Sequence, residues 1–154
     1  MTSSDITTRN TNGASPDTDV LDRSLGYHVR RVQLANFRNF ARHVKKPKAT
    51  PTQFTMLVLI NANPGMSQVE LGAILDMDRA TTMTVVDKLE SRRWVVRKRS
   101  TVDRRKHELH LSAQGRTALA AMKKAVEEHE TAFAAALSQR EKDDLLRLLK
   151  KLWP

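Results

Sequence analysis

The sequence predicts a mainly α-helical protein with one small β-hairpin. Three observations carry that prediction. Apolar residues recur at helical spacing along most of the 154 residues. Three helix starts show the reciprocal capping pattern, at Thr50–Gln53, Ser67–Glu70 and Ser138–Glu141. One short interval, 94–111, reads instead as two strands around a polar tip.

Residues 1–18 are rich in Ser, Thr, Asn and Asp and have few apolar groups, which predicts a disordered arm. Residues 19–154 are expected to form one domain. Its first helix is expected over Asp19–Val44. Leu21, Leu25, His28, Val32 and Ala35 make one stripe on it, and Leu34, Phe37, Ala41 and Val44 a second. Two stripes predict contacts on two sides, as when a helix covers its own domain and also meets a partner subunit. Lys45 to Ala49 is a basic break containing Pro47.

Thr50 as N-cap, Pro51 in the first turn and Gln53 start the next helix, which runs to about Asn61. Asn63-Pro64-Gly65 is a turn. Ser67 then caps a short helix expected to point Leu71, Ile74 and Leu75 inward. After a tight link at Asp76–Asp78, a further helix is expected from about Arg79 to Arg92. Thr82, Val85, Val86 and Leu89 follow i, i+3, i+4, i+7 and face the core. The opposite side carries Arg79, Ala80, Met83, Thr84, Asp87 and Lys88. Short polar and small apolar groups of this kind can approach base edges. The same pattern also describes an ordinary amphipathic helix with a solvated face. Its neighbours favour a recognition helix.

Trp94–Arg99 and Lys106–Leu111 read as strands, with Ser100–Arg105 as the tip. Ser112 caps a long helix through Leu119, Met122, Val126, His129, Phe133 and Ala136. The last helix is short and rich in leucine (Leu145, Leu146, Leu148, Leu149, Leu152), and a second subunit is the simplest place to bury it.

Charge points to the partner. The chain carries a net charge of +10. Between Lys88 and Lys106, nine Lys/Arg face only Glu90 and Asp103, so +7 is concentrated in this one segment. That is an electrostatic footprint for a polyanion, double-stranded DNA foremost. The candidate contacts are Arg79, Ala80, Met83, Thr84 and Lys88 on the helix. On the hairpin they are Arg97, Arg99, Asp103, Arg104, Arg105 and Lys106. Ser67 and Gln68 are candidate phosphate contacts. Asp103 among cations can hold a neighbouring guanidinium in place, or simply reflect the preference of Asp for turns.

Other classes find little support. Cysteine is absent, which excludes disulfides and thiolate metal sites. His107-Glu108-x-His110 resembles a zinc motif, but on a strand His107 and His110 point to opposite faces. No metal, cofactor or enzymatic site is expected. No apolar run approaches the ~18 residues of a membrane span, and the N-terminus lacks a secretory h-region. A cytoplasmic protein is expected.

The carrying residues TPTQFTMLVLI, SQVELGAIL, MDRATTMTVVDKLESRRWVVRKRS, Asp103-Arg104-Arg105 and LSAQGRTAL resemble the MarR family of winged helix-turn-helix regulators. The resemblance spans about Leu21 to Leu152. It implies a homodimer knitted by residues 19–44 and 112–154, with residues 50–111 as the winged helix-turn-helix. It implies that Arg105 enters the minor groove while Asp103 braces Arg99, and that a small-molecule pocket lies between the dimer helices and the winged part. Leu25-Gly26-Tyr27 to Arg30-Arg31 is similar to relatives that look like regulators of aromatic-acid catabolism. Tyr27, His28, Arg31, Phe37, Arg38 and Phe54 are the candidate pocket residues, for an aromatic acid or its CoA thioester. Two departures stand out. The family usually has Gly where this chain has Arg93, so a different turn into the wing is expected. It often has a longer polar residue where this chain has Thr84.

Such a dimer predicts a pseudo-palindromic operator with recognition helices about 34 Å apart. A non-specific architectural DNA-binding protein, or a regulator without a small-molecule ligand, would share the same charge pattern.

Overall fold

The computed structural model describes residues 17–100 and 107–153. Contacts divide the chain into two units, 1–35 and 36–154. Among the described residues, a 3-10 helix at Asp19–Arg23 precedes six α-helices and two strands: α1 Leu25–His43, α2 Pro51–Ala62, α3 Gln68–Ile74, α4 Arg79–Ser91, β1 Val95–Arg99, β2 His107–Leu111, α5 Ala113–Phe133 and α6 Gln139–Leu149. Residues 1–16, most of the expected arm, lie outside the described residues.

The first helix begins later than its apolar spacing predicts. Asp19 has φ of 46°, and Ser24 is extended at ψ 109°, which ends the 3-10 turn and lets Leu25 start α1 afresh. In the first unit, Leu21, Leu25, Val29 and Val32 are exposed, with Val20 at 71%. The second stripe holds only at its end. Val44 is buried, Leu34 and Phe37 are exposed, and Phe40, outside both stripes, is the buried residue of α1.

All three capping boxes form as the sequence indicates. Thr50 and Gln53, Ser67 and Glu70, and Ser138 and Glu141 each exchange side-chain and backbone bonds. These satisfy donors that the first helical turn cannot satisfy by itself. The Met56, Leu57 and Ile60 side chains of α2 are wholly buried, and α5, β2 and α3 all pack on this helix. Leu71, Val86, Leu89, Val95, Leu109 and Met122 complete the centre of the core.

One inward residue of α3 was misread. Ile74 is 56% exposed, whereas Leu71 and Gly72 are buried. The packing row is Leu71, Gly72 and Leu75, at i, i+1 and i+4. A Cβ on Gly72 would lie 2.8 Å from Thr82 Oγ1 and 3.2 Å from the Met77 carbonyl. Gly72 therefore gives the space in which α3 and α4 approach each other.

β1 and β2 pair antiparallel, from Val95 opposite Leu111 to Arg99 opposite His107. Trp94, expected to open β1, instead ends the turn out of α4. A stub of a third strand escaped the sequence reading. Gly65 N–H donates to the Leu109 carbonyl (3.0 Å), Leu109 N–H to the Met66 carbonyl (2.9 Å), and Ser67 bridges Glu108. This stub fixes the start of α3 against the hairpin. At the far end, α5 stops at Phe133, so Ala136 falls in the turn before α6.

Candidate nucleic-acid interface

The interface is built from α3, α4 and the base of the hairpin. Asp78 caps α4. Its carboxylate accepts from Thr81 N–H (2.8 Å) and Thr81 Oγ1 (2.6 Å). The Thr81 hydroxyl first, then its amide, hold the Asp78 carboxyl below the usual range, so the cap stays ionised at the positive end of the helix. Thr82, Val86 and Leu89 are buried and Val85 is partly buried, as the spacing predicts. Ala80, Met83, Thr84, Asp87 and Lys88 are exposed, and Met83 is 48% accessible.

The end of α4 answers the question raised by Arg93. Arg93 sits at φ 58°, in the left-handed region. Its N–H donates to the Glu90 carbonyl (2.7 Å), and Trp94 N–H reaches back to the Leu89 carbonyl (3.0 Å). This is the double-bonded helix stop that normally takes Gly. The expected change of turn does not occur. Arginine adopts the glycine conformation, at a cost of order 1 kcal/mol. Trp94 is buried and presents its ring to Arg92, whose guanidinium carbon lies 3.8 Å from the ring centroid.

Gly115 explains why the next helix must begin where it does. Ser112 N–H donates to the Trp94 carbonyl (3.0 Å), Ser112 Oγ to the Arg93 carbonyl (2.5 Å), and Gly115 N–H to Ser112 Oγ (2.9 Å). A Cβ on Gly115 would lie 1.9 Å from the Trp94 carbonyl oxygen. Helix start and helix stop are thus clamped together through the Ser112 amide and hydroxyl.

Arg97 behaves differently from its strand neighbours Lys98 and Arg99. Its guanidinium bonds Asp87 (2.5 Å) and Glu90, both on α4, and lies 3.4 Å from Gln68 Oε1 on α3. Its side chain is 22% exposed. It ties β1 to both helices. Charge counting could not separate it from its neighbours; the signal was the pair of carboxylates at i and i+3 on α4. Lys98 and Arg99 remain exposed, as do Arg79 and Lys88. The Glu108 carboxyl, opposite Lys98 in the ladder, is held low by the Ser100 hydroxyl and then by His110. Asp103, Arg104, Arg105 and Lys106 lie outside the described residues.

Ser67 and Gln68 open α3 beside this surface. With Val69, Ala73, Arg79 and Met83 they line a concavity of about 700 Å³. Of the expected effector residues, Tyr27, His28 and Arg31 belong to the first unit. There Arg31 donates to the Tyr27 hydroxyl (2.9 Å), and the two aromatic rings meet edge to face. Phe37, Arg38 and Phe54 belong to the second unit. Phe37 and Arg38 are exposed, and Phe54 packs near Phe40 with centroids 6.2 Å apart. A polar group that the sequence reading placed only as a stripe residue is His129 of α5. It is buried, with Nδ1 2.6 Å from Asn39 Oδ1 and its ring against Phe40, His43 and Phe133. Among the described residues no group of three His, Cys, Asp or Glu could hold a metal ion. No helix among them is long and apolar enough to cross a membrane.

A capped helix pair followed by a basic antiparallel hairpin, with exposed cations on both, is the build of a transcriptional regulator of the winged helix-turn-helix class. The family model described as MarR family matches residues 49–107. A putative transcriptional regulatory protein for the hcr operon of Thauera aromatica is 42% identical over 130 residues, 84% of this chain and 78% of that protein. The chain belongs to the MarR family. Among solved structures, the transcriptional repressor CouR bound to a 23-mer DNA duplex matches with a TM-score of 0.87 at 37% identity, covering 92% of this chain and 100% of that one. CouR bound to p-coumaroyl-CoA matches at 0.83 and 35%, covering 90% and 97%. The family and these relatives are regulators, not enzymes.

Proposed function

We propose that the protein is a homodimeric repressor. It binds a pseudo-palindromic operator and is released by an aromatic acid or, more specifically, an aromatic acyl-CoA thioester. The observation that carries the DNA reading is the surface of α4. Its apolar row is consumed by the core, while Arg79 and Lys88 stay exposed on it and Lys98 and Arg99 on the adjoining strand. Cations so placed position a duplex through its phosphates, and the helix between them reads base edges. Ser67 and Gln68 add phosphate contacts at the start of α3, and Arg104, Arg105 and Lys106 add further positive charge in the sequence between the strands.

The dimer reading rests on unburied apolar groups. Leu145, Leu146, Leu148, Leu152 and Trp153 are 43–70% exposed near the C-terminus. So many large apolar side chains left in the open over nine residues support an interface with another chain. The effector reading rests on the aromatic and basic residues of α1 and on the likeness to CouR, whose solved complexes include p-coumaroyl-CoA. An effector acts by binding the DNA-incompetent shape of the dimer more tightly.

Gel shifts with the DNA flanking its own gene test this. A discrete complex should form and disperse on adding p-coumaroyl-CoA, with p-coumarate as the simpler arm. If 6–10 phosphates are neutralised, affinity should fall roughly 10³–10⁵-fold between about 50 and 200 mM salt. Equal affinity for every duplex would favour an architectural protein instead.

A further inference from the structure

The recognition helix carries three threonines within about one turn, Thr81, Thr82 and Thr84, and the structure accounts for the hydroxyl proton of each. Thr81 Oγ1 donates to Asp78 Oδ2 (2.6 Å), Thr82 Oγ1 to the Asp78 carbonyl (2.8 Å), and Thr84 Oγ1 to the Ala80 carbonyl (3.0 Å). Thr82 is buried as well. With its hydroxyl proton given to the Ala80 carbonyl, Thr84 can offer a ligand its methyl and acceptor lone pairs but no donor. Ala80 precedes it by one turn, and Met83 stands next to it, 48% exposed. The apolar character continues into the concavity that Met83 shares with Val69, itself 74% exposed. The middle of the surface is thus a set of methyl and thioether groups, with cations at its two ends, Arg79 and Lys88.

In the major groove only one base presents an apolar group, the C5-methyl of thymine. We propose that Ala80, Met83 and Thr84 read thymine methyl groups, so that the centre of each half-site is specified by apolar contact rather than by hydrogen bonds. This rests on the DNA-binding reading above. The flanking cations supply the charge complementarity that brings duplex DNA, rather than an apolar protein surface, to this face.

The test begins with a duplex enriched by the full-length protein from a random-core library. Each thymine in it is then replaced singly by deoxyuridine, which removes the methyl and leaves base pairing intact. Affinity should fall about 3–4-fold at two or more positions per half-site, the worth of one buried methyl. The loss should vanish in Met83→Ala or Ala80→Gly at the matching position. Thr84→Val, which keeps a methyl and drops the hydroxyl, should bind like the parent, and Thr84→Ser should bind more weakly. Circular dichroism melts establish that each variant is folded. A flat deoxyuridine scan on a well-enriched duplex overturns this inference and leaves the DNA reading standing. So does a tenfold loss in Thr84→Val with Thr84→Ser unaffected. Failure to enrich any duplex overturns both.

Discussion

The base of the wing and the last helix treat their apolar residues in opposite ways. At the base, Trp94, Val95, Leu109 and Leu111 are all buried, and the Ser112 amide and hydroxyl tie the Trp94 carbonyl to the Gly115 amide. In α6, Leu145, Leu146 and Leu148 remain 43–49% exposed, and none of its residues is buried. Yet α6 has as clear a capping box as any helix in the chain. Local signals specify that a helix forms; they do not specify what covers it. One region is completed by its own sequence, and the other by something further, for which a second subunit is our proposal.

The largest effect that sharpens this contrast should come from the open region. Leu145→Asp with Leu148→Asp should give a monomer by sedimentation, with helicity retained. Losing simultaneous engagement of two half-sites should weaken operator binding roughly 10²–10⁴-fold. A dimer of undiminished affinity would break the comparison.

In the closed region, Gly115→Ala should destabilise the fold by about 3 kcal/mol in urea titrations, because the added methyl meets a carbonyl that cannot move aside. A near-neutral result would show the clamp to be loose.

Third comes His129, whose side chain is 2% exposed. Burial first, and nearby His43 as well, lower its pKa below the ordinary 6.5, with Glu130 opposing. The folded form therefore resists a proton that the unfolded chain accepts. Stability is complete above about pH 6.5 and should fall as pH drops below it, by at most about 1.4 kcal/mol per pH unit. Melting the protein between pH 7.5 and 5 should show this fall, and His129→Gln should flatten it.

The smallest effect is a gain. Arg93→Gly should raise stability by about 0.5–1 kcal/mol, since glycine holds φ near 58° without strain. Unchanged or reduced stability would mean that the arginine side chain repays its backbone.

Sequence reading succeeded where one residue type answers one local need. Ser67, Ser112 and Ser138 were legible as caps because few side chains can accept from a first-turn amide. The rear face of α4 was legible because thirteen residues allow periodicity to show. It failed where the signal was an absence or a partner distant in sequence. Gly72 has no side chain to count, so Ile74 was placed inward in its stead. The 3-10 turn at Asp19–Arg23 is too short for 3.0 and 3.6 residues per turn to be told apart. Arg97 looked like any wing cation, because its acceptors Asp87, Glu90 and Gln68 come together only in three dimensions. From sequence alone Thr84 could meet a base through its hydroxyl or its methyl; the Ala80 carbonyl that takes its hydroxyl proton is visible only in the fold.

Arg97 has a last consequence. By joining β1 to α4 through Asp87 and Glu90, and reaching Gln68 on α3, it couples the base of the hairpin to both helices as one jaw. In the proposed complex, strand and helices coupled in this way would meet a half-site as one piece. In the proposed dimer the adjustable quantity would then be the gauge between two such jaws, as in a caliper. Arg97→Met would slacken each jaw, and the protein would then tolerate half-site spacings that the parent rejects.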